Sequence, residues 1–170
     1  MKYEEYIQNV LRRFYRNFNV IEHYGVGDMI FPYAAIYTER NERYFASKKI
    51  VLDAVENNEI CLFTYISCLR NDHFNEFASH LEASVSSLVN PTWEHMSTII
   101  TCIIIADEIS DASLIQKIEK YHYGKSFLFN LNGWAKIRFI LVDLSHETIY
   151  CSKEGDKVKK VYGFINAESF

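Results

Sequence analysis

The chain has 170 residues, of which 49% are hydrophobic and 24% are charged, and its formal net charge is -4. A chain of this length is typical of one domain and can bury enough surface to fold without disulfides or a structural metal. The acidic balance argues against a nucleic-acid partner, because proteins that bind phosphate backbones usually carry a basic domain or stripe. We therefore expect a single domain over residues 1–170 that binds no nucleic acid.

The chain also lacks the usual signals for export or membrane insertion. Its first residues have no apolar core like that of a signal peptide, and the apolar run Ile103–Ala106 is far too short to cross a membrane. The four cysteines form no Cys-x-x-Cys pair, and Cys61 and Cys102 lie within apolar runs, where a thiol acts as a small hydrophobic group. We expect all four thiols to be reduced in a cytoplasmic protein that does not bind membranes.

Hydrophobic periodicity predicts a mixture of helices and strands. Apolar residues recur at helical spacing over 2–18, 71–89 and 112–122. Strands are predicted over 29–38, 43–48, 59–66, 97–106, 125–131, 134–143 and 147–152, with a polar turn at 39–42. The stretches 49–57 and 157–170 remain ambiguous. The order α-β-β-β-α-β-α-β-β-β favours an α+β fold, a mainly antiparallel sheet with helices packed on one face.

The predicted hairpin within Tyr123–Asp143, which turns at Asn132-Gly133, carries the best candidate site. Strand alternation places Trp134, Lys136 and Arg138 on one face. Two cations beside an indole could hold an anion or a carboxylate-bearing partner, and a solvated sheet edge is the alternative. Lys125 could join them across the hairpin, and His95, which follows Trp93-Glu94, is a further candidate. Because Arg138 shares its face with Ile140, we expect it to be partly buried and paired with an acidic residue or a bound anion.

Two other groups resemble metal sites and have simpler explanations. His73, Glu76 and His80 lie at i, i+3 and i+7, within reach of one divalent metal, and they also suit an exposed helix flank. Asp107 and Asp143 each end an apolar strand, and they would converge if those strands were parallel neighbours. Carboxylates also end strands where the chain returns to water. We expect no metal site and no cofactor.

Several short motifs occur together: Tyr44–Lys49, Glu94-His-Met-Ser, Gly124–Phe127, Gly133-Trp134, Arg138, Val142-Asp-Leu144 and Lys153-Glu-Gly-Asp. In this combination the chain resembles a family of small bacterial proteins known only as a domain of unknown function, over most of residues 28–162. The resemblance implies a single intracellular bacterial domain. It implies no reaction, cofactor or substrate.

Two classes of function remain. The first is a non-enzymatic domain that binds a partner protein, a second copy of itself or a small anionic ligand, since aromatic residues and arginine carry contact energy at interfaces. The alternative is a divalent-metal-dependent nuclease or hydrolase, because α-β-β-β-α-β is also the order of the restriction-endonuclease-like core. That core places Glu-x-Lys on its third strand, whereas Glu59 is followed by Ile60 and Cys61. We therefore assign no catalytic residue.

Overall fold

A computed structural model describes residues 1–44, 51–128 and 131–164, with only the backbone of 41–44 and 51–54. These residues form three α-helices and seven strands, which confirms the α+β class and the predicted element order. In chain order they are α1 (Tyr3–Phe14), β1 (Asn19–Val26), β2 (Met29–Tyr44), β3 (Val51–Leu69), α2 (Asn71–Leu88), β4 (His95–Ile109), α3 (Ala112–Lys120), β5 (Tyr123–Ser126), β6 (Trp134–Asp143) and β7 (Thr148–Cys151). Two short 3₁₀ turns follow at Lys153–Gly155 and Lys159–Tyr162.

The seven strands form one mixed sheet in the order β1-β2-β3-β4-β6-β5, and β7 also pairs with β6. The outer pairs are antiparallel, whereas β3, β4 and β6 run parallel to one another. The expectation of a mainly antiparallel sheet therefore holds for the periphery and fails at the centre. The reason is that α2 and the α3–β5 segment carry the chain back across the sheet before β4 and β6.

Helices cover both faces of the sheet, so the prediction of helices on one face is wrong. One core lies beneath α2 and α3, where Phe74, Leu81 and Leu114 pack on Ile104 and Phe139. The other core lies beneath α1, and its buried residues include Val10, Phe14, Ile103, Ile140 and Tyr162. Since β3, β4 and β6 are apolar on both faces over much of their length, they need a covering layer on each side.

The strands differ from the prediction most clearly at the start of the sheet, and β3, β4 and β5 also have bounds other than those predicted. The predicted turn at 39–42 belongs to β2, which continues to Tyr44 and pairs with β3 throughout. The strand β1 was not predicted at all, because it is an edge strand with mostly exposed or half-buried residues. The predicted strand 43–48 and the motif Tyr44–Lys49 lie mostly outside the described residues.

The first and last parts of the described chain meet beneath α1. The Tyr6 hydroxyl donates to the carbonyl of Tyr162 at 2.7 Å, and Arg13 Nη2 donates to the carbonyl of Gly163 at 2.8 Å. Arg13 also donates to the carbonyl of Val161 and so anchors the 3₁₀ turn at Lys159–Tyr162. Among the helices of the described residues, none has the length and apolarity needed to cross a membrane.

Candidate functional site

The alternation predicted for β6 is correct. Ala135, Ile137 and Phe139 belong to the core beneath α2, whereas Ile140 and Val142 belong to the core beneath α1. Trp134, Lys136 and Arg138 share the parity of Ile140 and therefore point toward the α1 side. Trp134 and Lys136 are only half-buried, which leaves the start of β6 accessible on this face.

Arg138 crosses the three parallel strands as a buried cation. Its Nε donates to Thr101 Oγ1 on β4 at 2.7 Å, and its Nη2 forms an ion pair with Glu59 on β3. The Arg138 side chain is 5% exposed and that of Glu59 is 28% exposed. This confirms that Arg138 pairs with an acidic residue of the chain. The pair neutralises the guanidinium, so Arg138 is not an open anion-binding group.

Lys136 is neutralised in a similar way. Its ammonium donates to Glu154 Oε1 at 3.0 Å and lies 5.2 Å from the ring centroid of Trp134. The hydrogen bond from Lys136 lowers the pKa of Glu154 below its ordinary value. Each of the two cations expected to hold an anion is thus paired with a carboxylate of this chain.

Lys125 lines a pocket with Trp134 and Lys136, and His95 lines another with Trp134, but each bonds to other partners. Lys125 shares its face of β5 with Tyr123, which packs toward α2, and its ammonium donates to Ser86 of α2 at 2.6 Å. His95 is 3% exposed and lies edge-on to Phe127 on the same side of the sheet. In the register of the hairpin Lys125 faces Ala135, not Lys136.

His95 instead helps to build a nearby cavity. Its Nδ1 donates to the carbonyl of Asn132 at 2.7 Å, and its Nε2 lies 2.9 Å from Thr98 Oγ1. The Asn132 amide in turn donates to the carbonyl of Pro91 at 2.9 Å. These bonds join the segment before β4 to the turn before β6 at one end of the sheet.

Gly133 allows the two loops to approach closely. Its φ is +75°, and a Cβ there would lie 2.4 Å from the carbonyl oxygen of Met96 and 2.7 Å from His95 Nδ1. A side chain at this position would therefore collide with backbone and with a buried ring. The Asn132-Gly133 turn predicted from sequence has a structural role that only the tertiary fold explains.

A cavity of about 330 Å³ opens between these loops, and both tryptophans of the chain line it. Its lining residues are Val55, Trp93, Glu94, His95, Met96, Leu131, Gly133 and Trp134. Three of them are large apolar side chains on the surface: Trp93 is 68% exposed, Met96 49% and Leu131 78%. We call Trp93, Met96, Leu131 and Trp134 the indole surface.

Only part of this surface was predictable from the sequence. His95 and Trp134 were both candidates, and the structure brings them to one cavity. Trp93 was noted only as a neighbour of His95, and Met96 and Leu131 were not singled out. They lie in or beside loops, where periodicity carries no information. The available signal was an indole in a loop that also contains a proline, since such a residue has no helix or strand face to bury.

The two possible metal groups are not assembled. His73 contacts Arg70, whereas His80 bonds the Val26 carbonyl at 2.5 Å and lies 3.3 Å from Asp28. The possible site at Asp107 and Asp143 required β4 and β6 to be parallel neighbours, and they are. Asp143, however, is in register with Ala106 and not with Asp107. Asp107 therefore points to the opposite face, where it accepts the Tyr65 hydroxyl.

The carboxylate of Asp143 is used locally. It accepts from the backbone N–H of His146 at 3.0 Å and from its ring at 2.8 Å, which closes the turn before β7. In the parts of the chain that the structure describes, no three residues among His, Cys, Asp and Glu are grouped to hold a metal ion.

The two most deeply buried thiols, those of Cys61 and Cys102, have raised pKa values, which disfavour the reactive thiolate. Burial, together with the neighbouring Glu59, raises the pKa of Cys61 to about 12. Burial alone raises the pKa of Cys102 above its ordinary value. All four cysteines are free, and Cys68 is the most accessible of them.

Comparison with known proteins adds a family and no activity. No curated protein matches the chain significantly, and no solved structure does so either. One family model, described as a domain of unknown function (DUF8052), matches residues 2–164 and so includes α1 and β1 as well as the motifs around the cavity. The chain therefore belongs to the DUF8052 family of domains of unknown function.

Proposed function

We propose that this protein is a non-enzymatic cytoplasmic domain that binds a partner protein through the indole surface. The observation that carries the proposal is the exposure of Trp93, Met96 and Leu131 around one cavity, at 68%, 49% and 78%. Clustered exposed apolar side chains are a feature of interaction sites, and tryptophan is enriched among the residues that dominate binding energy. A cavity of about 330 Å³ is large enough to accept one side chain of such a partner.

A small anionic ligand is less well supported. Arg138 is paired with Glu59, Lys136 with Glu154, and Lys125 with the hydroxyl of Ser86. An anion bound by Arg138 or Lys136 would have to displace a carboxylate, and the Arg138 pair is largely buried. The charge distribution therefore favours a partner that makes apolar contacts.

The nuclease alternative also has little support from the geometry. Glu59 is the carboxylate that a restriction-endonuclease-like core would use on its third strand, and here it is bound by Arg138. The expected lysine two residues later is Cys61, whose side chain is buried. Incubation of the protein with plasmid DNA and Mg²⁺ or Mn²⁺ tests this alternative. We expect intact DNA, and cleavage that disappears in Glu59→Ala would replace our proposal with the enzyme.

The partner proposal is tested by surface variants with a matched control. Trp93→Ser and Leu131→Ser remove apolar area at the cavity, whereas Ile30→Ser removes a side chain of similar exposure, 67%, at the opposite end of the sheet. Affinity capture from the source cells, followed by calorimetry with the purified captured protein, compares the four forms. We expect binding to weaken on the order of tenfold or more in the two cavity variants and to persist in Ile30→Ser.

Two results would contradict the proposal. One is equal binding by Trp93→Ser and the unsubstituted protein. The other is a concentration-dependent dimer, seen by sedimentation and lost in Trp93→Ser, which would make a second copy of this chain the occupant of the indole surface.

A further inference from the structure

The cavity behind the indole surface has a charge pattern of its own. Among its eight lining residues, Glu94 carries the only formal charge other than that of a protonated histidine. His95 is a donor to the Asn132 carbonyl through Nδ1, which leaves Nε2 to accept the Thr98 hydroxyl in the neutral ring. Two indoles, a thioether and one carboxylate therefore face the same space, and indole faces attract cations.

Two cations of this chain already contact groups that line the cavity: Arg40 contacts the Glu94 carboxylate, and Lys136 contacts the Trp134 ring. Arg40 Nη2 lies 3.1 Å from Glu94 Oε2 and 3.4 Å from Oε1. The Lys136 ammonium lies 5.2 Å from the centroid of Trp134. The side chain of Arg40 is 49% exposed and that of Glu94 is 22% exposed, so their ion pair is a surface pair that costs little to rearrange.

We propose that the cavity receives an arginine side chain of the partner, with the guanidinium between Trp93 and Trp134 and in contact with Glu94. This inference rests on the proposed function and adds the chemistry of the partner. A guanidinium suits the site better than an ammonium because it is planar, stacks on aromatic rings and is weakly hydrated. It also forms two-point hydrogen bonds with a carboxylate. The guanidinium of Arg40 already pairs with Glu94, and the arginine of the partner would replace it there.

The test uses a pair of probes of nearly the same shape, one cationic and one neutral. N-acetyl-arginine amide is titrated into the full chain while the indole N–H signals of the two tryptophans are followed by NMR, and N-acetyl-citrulline amide serves as the neutral isostere. We expect both indole signals to move in a saturable way with the arginine probe. We expect binding of the citrulline probe to be weaker by on the order of fivefold or more. Equal shifts with both probes, or no shift with either, would overturn the inference.

Variants then identify the carboxylate. Glu94→Gln should weaken the arginine probe severalfold, whereas Glu119→Gln, an exposed substitution on α3, should leave its affinity unchanged. Arg40→Gln should tighten binding, because it releases Glu94 from its internal pair. A decrease in affinity in Arg40→Gln, or none in Glu94→Gln, would show that Glu94 is not the contact. Unchanged thermal unfolding of each variant establishes that folding is intact.

The two proposals fail in different ways. If a partner requires Trp93 and Leu131 but binds equally well to Glu94→Gln, the proposed function stands and the arginine inference is wrong. If the arginine probe binds as expected and the partner ignores Trp93→Ser, the cavity recognises guanidinium and the proposed function is wrong.

Discussion

Replacement of Arg138 by methionine should destabilise the protein by about 3 kcal/mol, since loss of one member of a buried ion pair typically costs 3–5 kcal/mol. The side chain of Arg138 is 5% exposed, and its removal leaves the Glu59 carboxylate without its cation. Glu59 is 28% exposed and can recover part of its hydration, which places the expected cost at the lower end of that range. Methionine fills much of the space of the arginine stem, so the change reports mainly the lost charge pair.

Urea unfolding with linear extrapolation measures this cost. Lys136→Met is the matched control on the same strand face. The Lys136 side chain is 35% exposed and that of its partner Glu154 is 31% exposed, so Lys136→Met should destabilise the protein by no more than about 1 kcal/mol. The double variant Glu59→Met/Arg138→Met should be more stable than Arg138→Met, because it leaves no unpaired charge. An Arg138→Met value within about 0.5 kcal/mol of the unsubstituted protein would refute the reasoning, because changes of that size are typical of solvated surface sites.

Gly133→Ala should lower thermal stability, because its Cβ would lie 2.4 Å from the Met96 carbonyl oxygen, whereas Gly25→Ala meets nothing within 4 Å and serves as the control. Equal melting temperatures would contradict the close approach. Cys61 and Cys102 should react slowly with a thiol reagent in the native protein while Cys68 reacts first, and rapid labelling of all three without denaturant would show otherwise. Burial raises the pKa of Cys61 from 9.0 to about 12, so between those values the native state keeps a proton that the unfolded state loses. The free energy of unfolding should therefore fall as the pH rises from 9 toward 12, and less steeply in Cys61→Ala.

The helices were predictable because each has one apolar stripe that the fold buries. The α2 residues Phe74, Ala78, Leu81 and Val85 all face the sheet, as their spacing predicts. The strands at the edge of the sheet were harder to predict than the helices. Glu39–Glu42 resembles a turn because this part of β2 extends past its pairing with β1, which ends at Ile36, and its residues Glu39 and Arg40 are exposed. An edge strand such as β1 likewise carries no clear alternation.

The candidate site shows the same division. Parity alone placed Trp134, Lys136 and Arg138 on one face, and the apolar neighbour Ile140 indicated that Arg138 would need an acidic partner. The identity of that partner depended on the strand order β3-β4-β6. This order brings Glu59 to Arg138, although the two residues are 79 positions apart in the sequence. The cavity was not predictable for a similar reason. It exists only where two loops, far apart in sequence, are joined by Asn132.

The meeting of α1 with the end of the described chain affects the order of events during synthesis. The apolar stripe of α1 packs on β4, on β6 and on Tyr162, so its complete binding surface does not exist until these late segments are available. At a translation rate of roughly 5–20 residues per second, on the order of 150 residues take about 8 to 30 s to follow α1 out of the ribosome. Helix formation itself takes microseconds or less. A nascent chain of this protein therefore presents the amphipathic helix α1 long before the surface on which that helix docks is complete.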